Sequence, residues 1–235
     1  MSRLDRDNAP LVIGLGHRMR QGKSESVTAI YDQFSKNKNG QYDILRTGFA
    51  AALRREVELA VENITGEGLT TQDKVKELCL ICGIDYDPDA PVSPDYPYSK
   101  QRALLQFWGE WRRDQDPFYW INALEQTIIT ESPQIVLIDD MRYPNELFWV
   151  HSLGGTAVKI ARDGYQAPAG TSQHISETAL EGYEFDHTIT SVEGQVDQLR
   201  ADAIELFEAI VNRWSGAECA SVFQTFGDLL ALQES

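Results

Sequence analysis

Positive charge is scarce in this sequence: 21 lysines and arginines stand against 36 aspartates and glutamates, a formal net charge of -15. A field of that sign repels a nucleic-acid backbone unless basic residues are concentrated in one place, so duplex DNA or RNA is a poor first partner. Long apolar runs are missing as well. No stretch approaches the roughly 18 consecutive apolar residues that span a bilayer, and the opening MSRLDRDNAP lacks the apolar core of a signal peptide. The expectation is therefore no membrane and a cytoplasmic location. Cysteine is sparse and odd in number: Cys79, Cys82 and Cys219 suit free thiols better than a disulfide framework. Cys79 and Cys82 form a C-x-x-C pair, but no second Cys or His pair lies nearby, and a zinc site needs about four ligands. Inside the apolar, helical KVKELCLICGI they read as small packed hydrophobes. The histidines, His17, His151, His174 and His187, show no spacing that suggests a nucleophilic triad.

What is present suits a globular α/β chain. With 235 residues, 42% of them hydrophobic, it can bury a sizeable core without staples. LVIGLG (residues 11–16) is an apolar run closed by glycines, the pattern of a buried strand entering a tight turn. Val27, Ile30, Tyr31 and Phe34 then recur at helical spacing. YDILRTGF reads as a second strand, leading into the helical AALRREVELAVENI. One helix is expected in TTQDKVKELCLIC, then a Pro- and Asp-rich loop, DYDPDAPVSPDYP. Two amphipathic helices follow, one striped by Ala103, Leu104, Phe107, Trp108 and Trp111, the other by Phe118, Ile121, Leu124 and Ile128. IVLIDD suits a central parallel strand buried on both faces, followed by a helix from near Pro144 and the strand TAVKIA. DGYQAPAGTSQ resembles a lid, and Val196 to Trp214 mark a long amphipathic helix. A weaker apolar stripe beyond Gly216 could cover the domain or a second copy in a homodimer.

Alternating strands and helices predict a three-layer fold, a mostly parallel sheet flanked by helices. The expected organisation is one such domain over 1–215, with a helical insertion at about 64–100 and a lid at about 162–178, then a helical tail, 216–235.

The chemistry concentrates in GLGHRMRQGKSES, a glycine-bearing loop between a buried strand and an amphipathic helix, which is the setting a phosphate-binding loop requires. Backbone N–H groups and the helix N-terminus would cradle phosphate oxygens. The cofactor-binding set is Gly16, His17, Arg18, Arg20, Gly22, Lys23, Ser24 and Glu25, with Lys23 reaching the β- and γ-phosphates of ATP and Ser24 holding Mg2+. His17 stands where the strict loop pattern has its first glycine. In IVLIDDMRYPNE an acid at the carboxyl end of a buried strand, Asp139 or Asp140, sits where α/β sheets bind ligands, and Arg142 could pair with a phosphate. Phosphoryl transfer needs positive charge more than a nucleophile, and Arg54, Arg102, Arg112, Arg113 and Arg162 lie in or beside the segments concerned. Phe107, Trp108, Trp111 and Trp120 could stack on a base, or simply pack.

Five segments in order, HRMRQGKS, GFAAALRREV, RALLQFWGEWRR with DPFYW, DDMRYPNE and QHISE, resemble the bacteriophage deoxynucleoside monophosphate kinase family over roughly residues 11–206. The resemblance implies a P-loop enzyme that passes the γ-phosphate of ATP, with Mg2+, to a small dNMP acceptor. By motif, Gly22, Lys23 and Ser24 match the ATP loop, while Asp140, Arg142 and Glu146 match a D-x-R-x-x-x-E run. Arg102 opens the R-x-L-L-Q segment, and Arg54 stands where the family tends to have lysine. His174 and Glu177 belong to QHISE, as nucleotide contacts or as parts of a lid. The catalytic expectation is Lys23, Asp140 and Arg142; the metal ligands are Ser24 and Asp140; the acceptor set adds Trp108, Arg112, Arg113, Glu146 and Arg162. Two other readings share these residues. In one the acceptor is a hydroxymethylated base in DNA or another phosphorylated metabolite. In the other the chain is a nucleotide-binding module without catalysis.

Overall fold

The computed structural model describes residues 4–7, 9–16, 18, 21–90, 101–164 and 175–233, with the backbone alone at 177 and 216–233. The chain forms two units, one of Met1–Thr47 with Ile128–Ser235 and the other of Gly48–Thr127. The second is larger than the insertion expected at about 64–100, because the helices on both sides of that stretch pack with it.

In the first unit, strands β1 (Leu11–Gly16), β2 (Ile44–Thr47), β3 (Ile135–Met141), β4 (Thr156–Arg162) and β5 (His187–Ser191) form one parallel sheet in the order β2-β3-β1-β4-β5. β1 is buried at every position, as a central strand covered on both faces must be. Leu11, Ile13, Leu15, Ile135 and Leu137 point to one face, where they meet Val27, Ile30 and Phe34 of α1 (Lys23–Phe34) and Leu199, Ala203, Phe207 and Ile210 of α7 (Val196–Gln233). The Phe34 and Phe207 rings lie 4.7 Å apart between the two helices. The opposite face carries α6 (Pro144–Ser152) against β1 and β4. Gly14 lets it come near: a Cβ there would meet Val150 Cγ2 and Met141 Sδ at 3.2 Å.

An α/β sheet with helices on both faces is therefore established, as anticipated. β5 is not anticipated by the sequence reading. It is a five-residue edge strand, HTITS, whose outward positions are polar. α7 continues as one helix to Gln233, through the point where a separate tail was expected to begin.

The strand order fixes where a ligand can enter. The chain leaves β1 through α1 on one face and leaves the adjacent β3 through α6 on the other. Diverging connections open a crevice beyond the carboxyl ends of neighbouring parallel strands, the usual ligand position in open α/β sheets. Gly16 and Met141 are partners at that edge.

The second unit is helical. Phe49, Leu53, Val57 and Val61 form a buried stripe along α2 (Phe49–Glu62), which packs with α3 (Thr71–Ile81) and α4 (Arg102–Gln115). α3 starts at a reciprocal cap in which Thr70 Oγ1 accepts from Asp73 N and Asp73 Oδ2 accepts from Thr70 N. Between α4 and α5 (Tyr119–Glu131), Asp116 Oδ1 accepts from Phe118 N at 2.9 Å and turns the chain. The buried Trp120 indole donates to Gly109 O at 3.1 Å. Cys79 is buried in α3 and Cys82 partly buried at its end, and burial raises both thiol pKa values, the behaviour of packed thiols.

Candidate functional site

The turn from β1 into α1 is built on glycine geometry. Gly22 is the N-cap of α1 at φ 100°, a left-handed conformation that side-chain-bearing residues avoid. It supplies no side chain to cap the helix, so the first-turn N–H groups receive no acceptor from the N-cap. A helix start in that condition, with its dipole, attracts an anion. Gly16, at the other end of the turn, has Met141 Cε and Phe185 Cε1 each 2.8 Å from where a Cβ would be.

Lys23 is buried, and its ammonium donates to the main-chain carbonyl of Arg18, so that it is folded back onto the loop. The Arg18 guanidinium pairs with Glu181, while its Nε is buried without a hydrogen-bond partner among the described residues. An orphaned buried donor costs about 1–3 kcal/mol unless something fills its place. Two cationic side chains and an uncapped helix start thus converge on one turn. Ser24 is exposed on the first turn, its hydroxyl available as an oxygen ligand. Glu25 is engaged by Arg200 of α7, whose Nη2 lies 2.6 Å from Glu25 Oε2. His17 and Arg20 lie outside the described residues.

At the end of β3 the two acids diverge. Asp139 pairs with Arg46 Nη2 at 3.6 Å, and Arg46 Nη1 donates to Thr28 Oγ1 of α1 at 3.0 Å. Asp140 is half-buried and lies in the irregular step of β3 where its register against β1 shifts, between the partners of Gly14 and Gly16. The next turn is closed by Glu146, which is 2% exposed and whose Oε2 accepts from Arg142 N at 2.7 Å and Tyr143 N at 3.0 Å. Those bonds make Glu146 a brace for the backbone that carries Asp140 and Arg142. Arg162, the last residue of β4, pairs with Glu193 at 2.7 Å. His174 lies outside the described residues, and for Glu177 only the backbone, in a short 3-10 turn, is described.

The helical unit carries Trp108, Arg112, Arg113 and Arg102 on α4 and Arg54 on α2. Of these, Trp108 and Arg112 meet on Glu56 of α2, which no sequence pattern marks out. Its carboxylate accepts from Trp108 Nε1 and Arg112 Nε, each at 3.0 Å, and from the Tyr119 hydroxyl. Burial opposes ionisation of Glu56, but the hydrogen bonds from Tyr119, Trp108 and Arg112 outweigh it and hold the carboxyl below its ordinary 4.5. The bond to Glu56 raises the Tyr119 phenol in turn. The Arg112 guanidinium stacks on Trp111 and Tyr119, 4.6 and 4.7 Å from the ring centroids. The available signal for Glu56 was an acid beside the apolar stripe of α2, one residue before Val57. What it meets on α4 and α5 is not written in its own helix.

No helix among the described residues is long and apolar enough to cross a membrane. Compared with protein-family models and with curated proteins, the chain matches none.

Proposed function

We propose that this chain is an ATP-dependent kinase of P-loop type that phosphorylates a deoxynucleoside monophosphate. The observation that carries the reading is the turn at the carboxyl edge of β1: a left-handed Gly22 that gives α1 no side-chain cap, a buried Lys23 folded onto its own loop, and an Arg18 Nε buried without a partner among the described residues. Each feature is accounted for by an anion with several oxygens seated on the turn. Gly16, Gly22, Lys23 and Ser24 would hold the triphosphate, with Lys23 leaving the Arg18 carbonyl for a phosphate oxygen. Ser24 and Asp140 offer the oxygen donors that Mg2+ prefers; when bound, the ion would neutralise charge on the transferring phosphate. Arg142, set by Glu146 beside Asp140, adds positive charge at the same edge. The dNMP acceptor is supported by the ordered motifs and by the arginine- and tryptophan-bearing helical unit. The strongly acidic chain suits a small acceptor better than polymeric DNA.

Incubation with ATP, Mg2+ and each dNMP in turn should yield the corresponding diphosphate. Lys23→Ala should lower the rate by about 100- to 1,000-fold. Absence of diphosphate from every dNMP would sink the reading. ATP binding without turnover would point to a nucleotide-binding module, and label passing to DNA to a polymeric acceptor.

A further inference from the structure

Arg112 is held in an unusual way for a half-exposed arginine. Its Nε is bonded to Glu56 at 3.0 Å, and both Trp111 and Tyr119 lie against the guanidinium. Tyr119 is itself tied to the same carboxylate, as is Trp108, whose ring meets Trp111 edge to face at 5.7 Å. Orientation about the side-chain axis is therefore fixed from three directions. The two terminal amino groups of Arg112 have no hydrogen-bond partner among the described residues. A planar fork of N–H donors, immobilised at its base and bare at its tip, matches two oxygens of a phosphate. Because the ordering of a long side chain has been met in the fold, little entropy is lost when an anion arrives.

Glu56 has a second consequence. Alone it would cancel the Arg112 charge, yet its oxygens are shared with an indole N–H and a phenol O–H, so it orients the arginine while its own charge is drawn toward three donors.

We propose that Arg112 takes the phosphate of the acceptor monophosphate and that Glu56 is a positioning residue, which aims the guanidinium through its Nε and locks the flanking rings. This rests on the kinase reading and specifies its acceptor half: recognition through the phosphate, at a preset arginine.

Two physical pictures predict opposite signs for Glu56→Gln. If Glu56 acted only through its charge, neutralising it would tighten the phosphate contact. If it positions Arg112, the neutral amide replaces the charge-assisted bond to Nε by a weaker one and leaves a single acceptor oxygen where two served, so the contact loosens. The test is steady-state kinetics on the full chain with ATP, Mg2+ and the best dNMP, together with calorimetry of that dNMP and its nucleoside. We expect Glu56→Gln to raise KM for the dNMP about tenfold, with kcat and KM for ATP near wild type. Arg112→Lys, which keeps the charge but loses the fork, should remove most of the preference for dNMP over nucleoside. A KM that is unchanged or lower in Glu56→Gln overturns the positioning role. An Arg112→Lys variant that keeps the wild-type preference overturns the phosphate contact. Should Glu56→Gln fail to fold by circular dichroism, Tyr119→Phe decides the positioning question: a raised dNMP KM at unchanged ATP KM supports it, and wild-type values overturn it. A wild-type chain that phosphorylates no dNMP defeats the kinase reading itself, whereas an active chain with an indifferent Arg112 defeats only this inference.

Discussion

A Cβ at Gly22 would lie 2.3 Å from Leu199 Cδ2, so the first residue of the α1 cap and a core residue of α7 occupy space that only glycine leaves open. Gly22→Ala meets two penalties, the left-handed backbone at φ 100° and this overlap. Together they should cost about 2–4 kcal/mol of stability. Thermal or denaturant unfolding checks the sum, and a double-mutant cycle separates the parts: Gly22→Ala should cost less in a Leu199→Ala background than in the wild type. Additive costs would show that Leu199 is not the obstacle.

Glu146 is expected to act on stability before it acts on catalysis. Glu146→Ala takes the Glu146 acceptor from Arg142 N and Tyr143 N in a partly buried turn, at about 1–3 kcal/mol. Glu146→Gln keeps an acceptor oxygen and should cost less. If instead both variants melt like the wild type and only the dNMP KM changes, Glu146 is a substrate contact and not a brace.

The two acids ending β3 should separate in activity. Asp139 is already paired with Arg46 at a partly exposed site, so Asp139→Asn should change stability by under about 1 kcal/mol and leave turnover largely intact. Asp140→Asn should lower turnover by about 100-fold, since it removes an oxygen ligand proposed for the metal. Measured rates in the reverse order would move the metal role to Asp139.

The pH dependence of stability carries a signature of Glu56. Its carboxyl titrates below the ordinary 4.5 in the folded chain, so the folded state binds fewer protons there than the unfolded state as the pH falls. The contribution is fully present above 4.5 and is lost as the pH drops through the lowered folded value. The difference in melting temperature between wild type and Glu56→Gln should therefore be steady between about pH 5.5 and 7 and shrink in more acid solution. A difference that widens below 4.5 would mean that the folded chain favours protonated Glu56.

Much of the fold is legible locally. An all-buried run such as LVIGLG or IVLI has few alternatives to an inner strand, and apolar spacing of three and four residues outlines α2 and α7. The strand-turn-helix around Gly22 is visible for the same reason, since a glycine-closed strand followed by an amphipathic stripe is a local pattern. β5 escapes because HTITS is short and half polar, and edge pairing with β4 supplies what its composition does not.

The site divides along the same line. Sequence by itself determined which residue types stand near the turn from β1 into α1, because Gly16, Gly22, Lys23 and Ser24 are neighbours in the chain. Tertiary structure alone decided how side chains from distant segments are used: Asp139 with Arg46, Glu25 with Arg200, Arg162 with Glu193, and Glu56 with Trp108, Arg112 and Tyr119. A carboxylate is satisfied by whichever donors the packing brings within about 3 Å, and that distance is set by helices and strands meeting in space. Thus the chain order announces a glycine-built turn between strand and helix, while the role of an acid such as Glu56 or Glu146 exists only once the elements have packed.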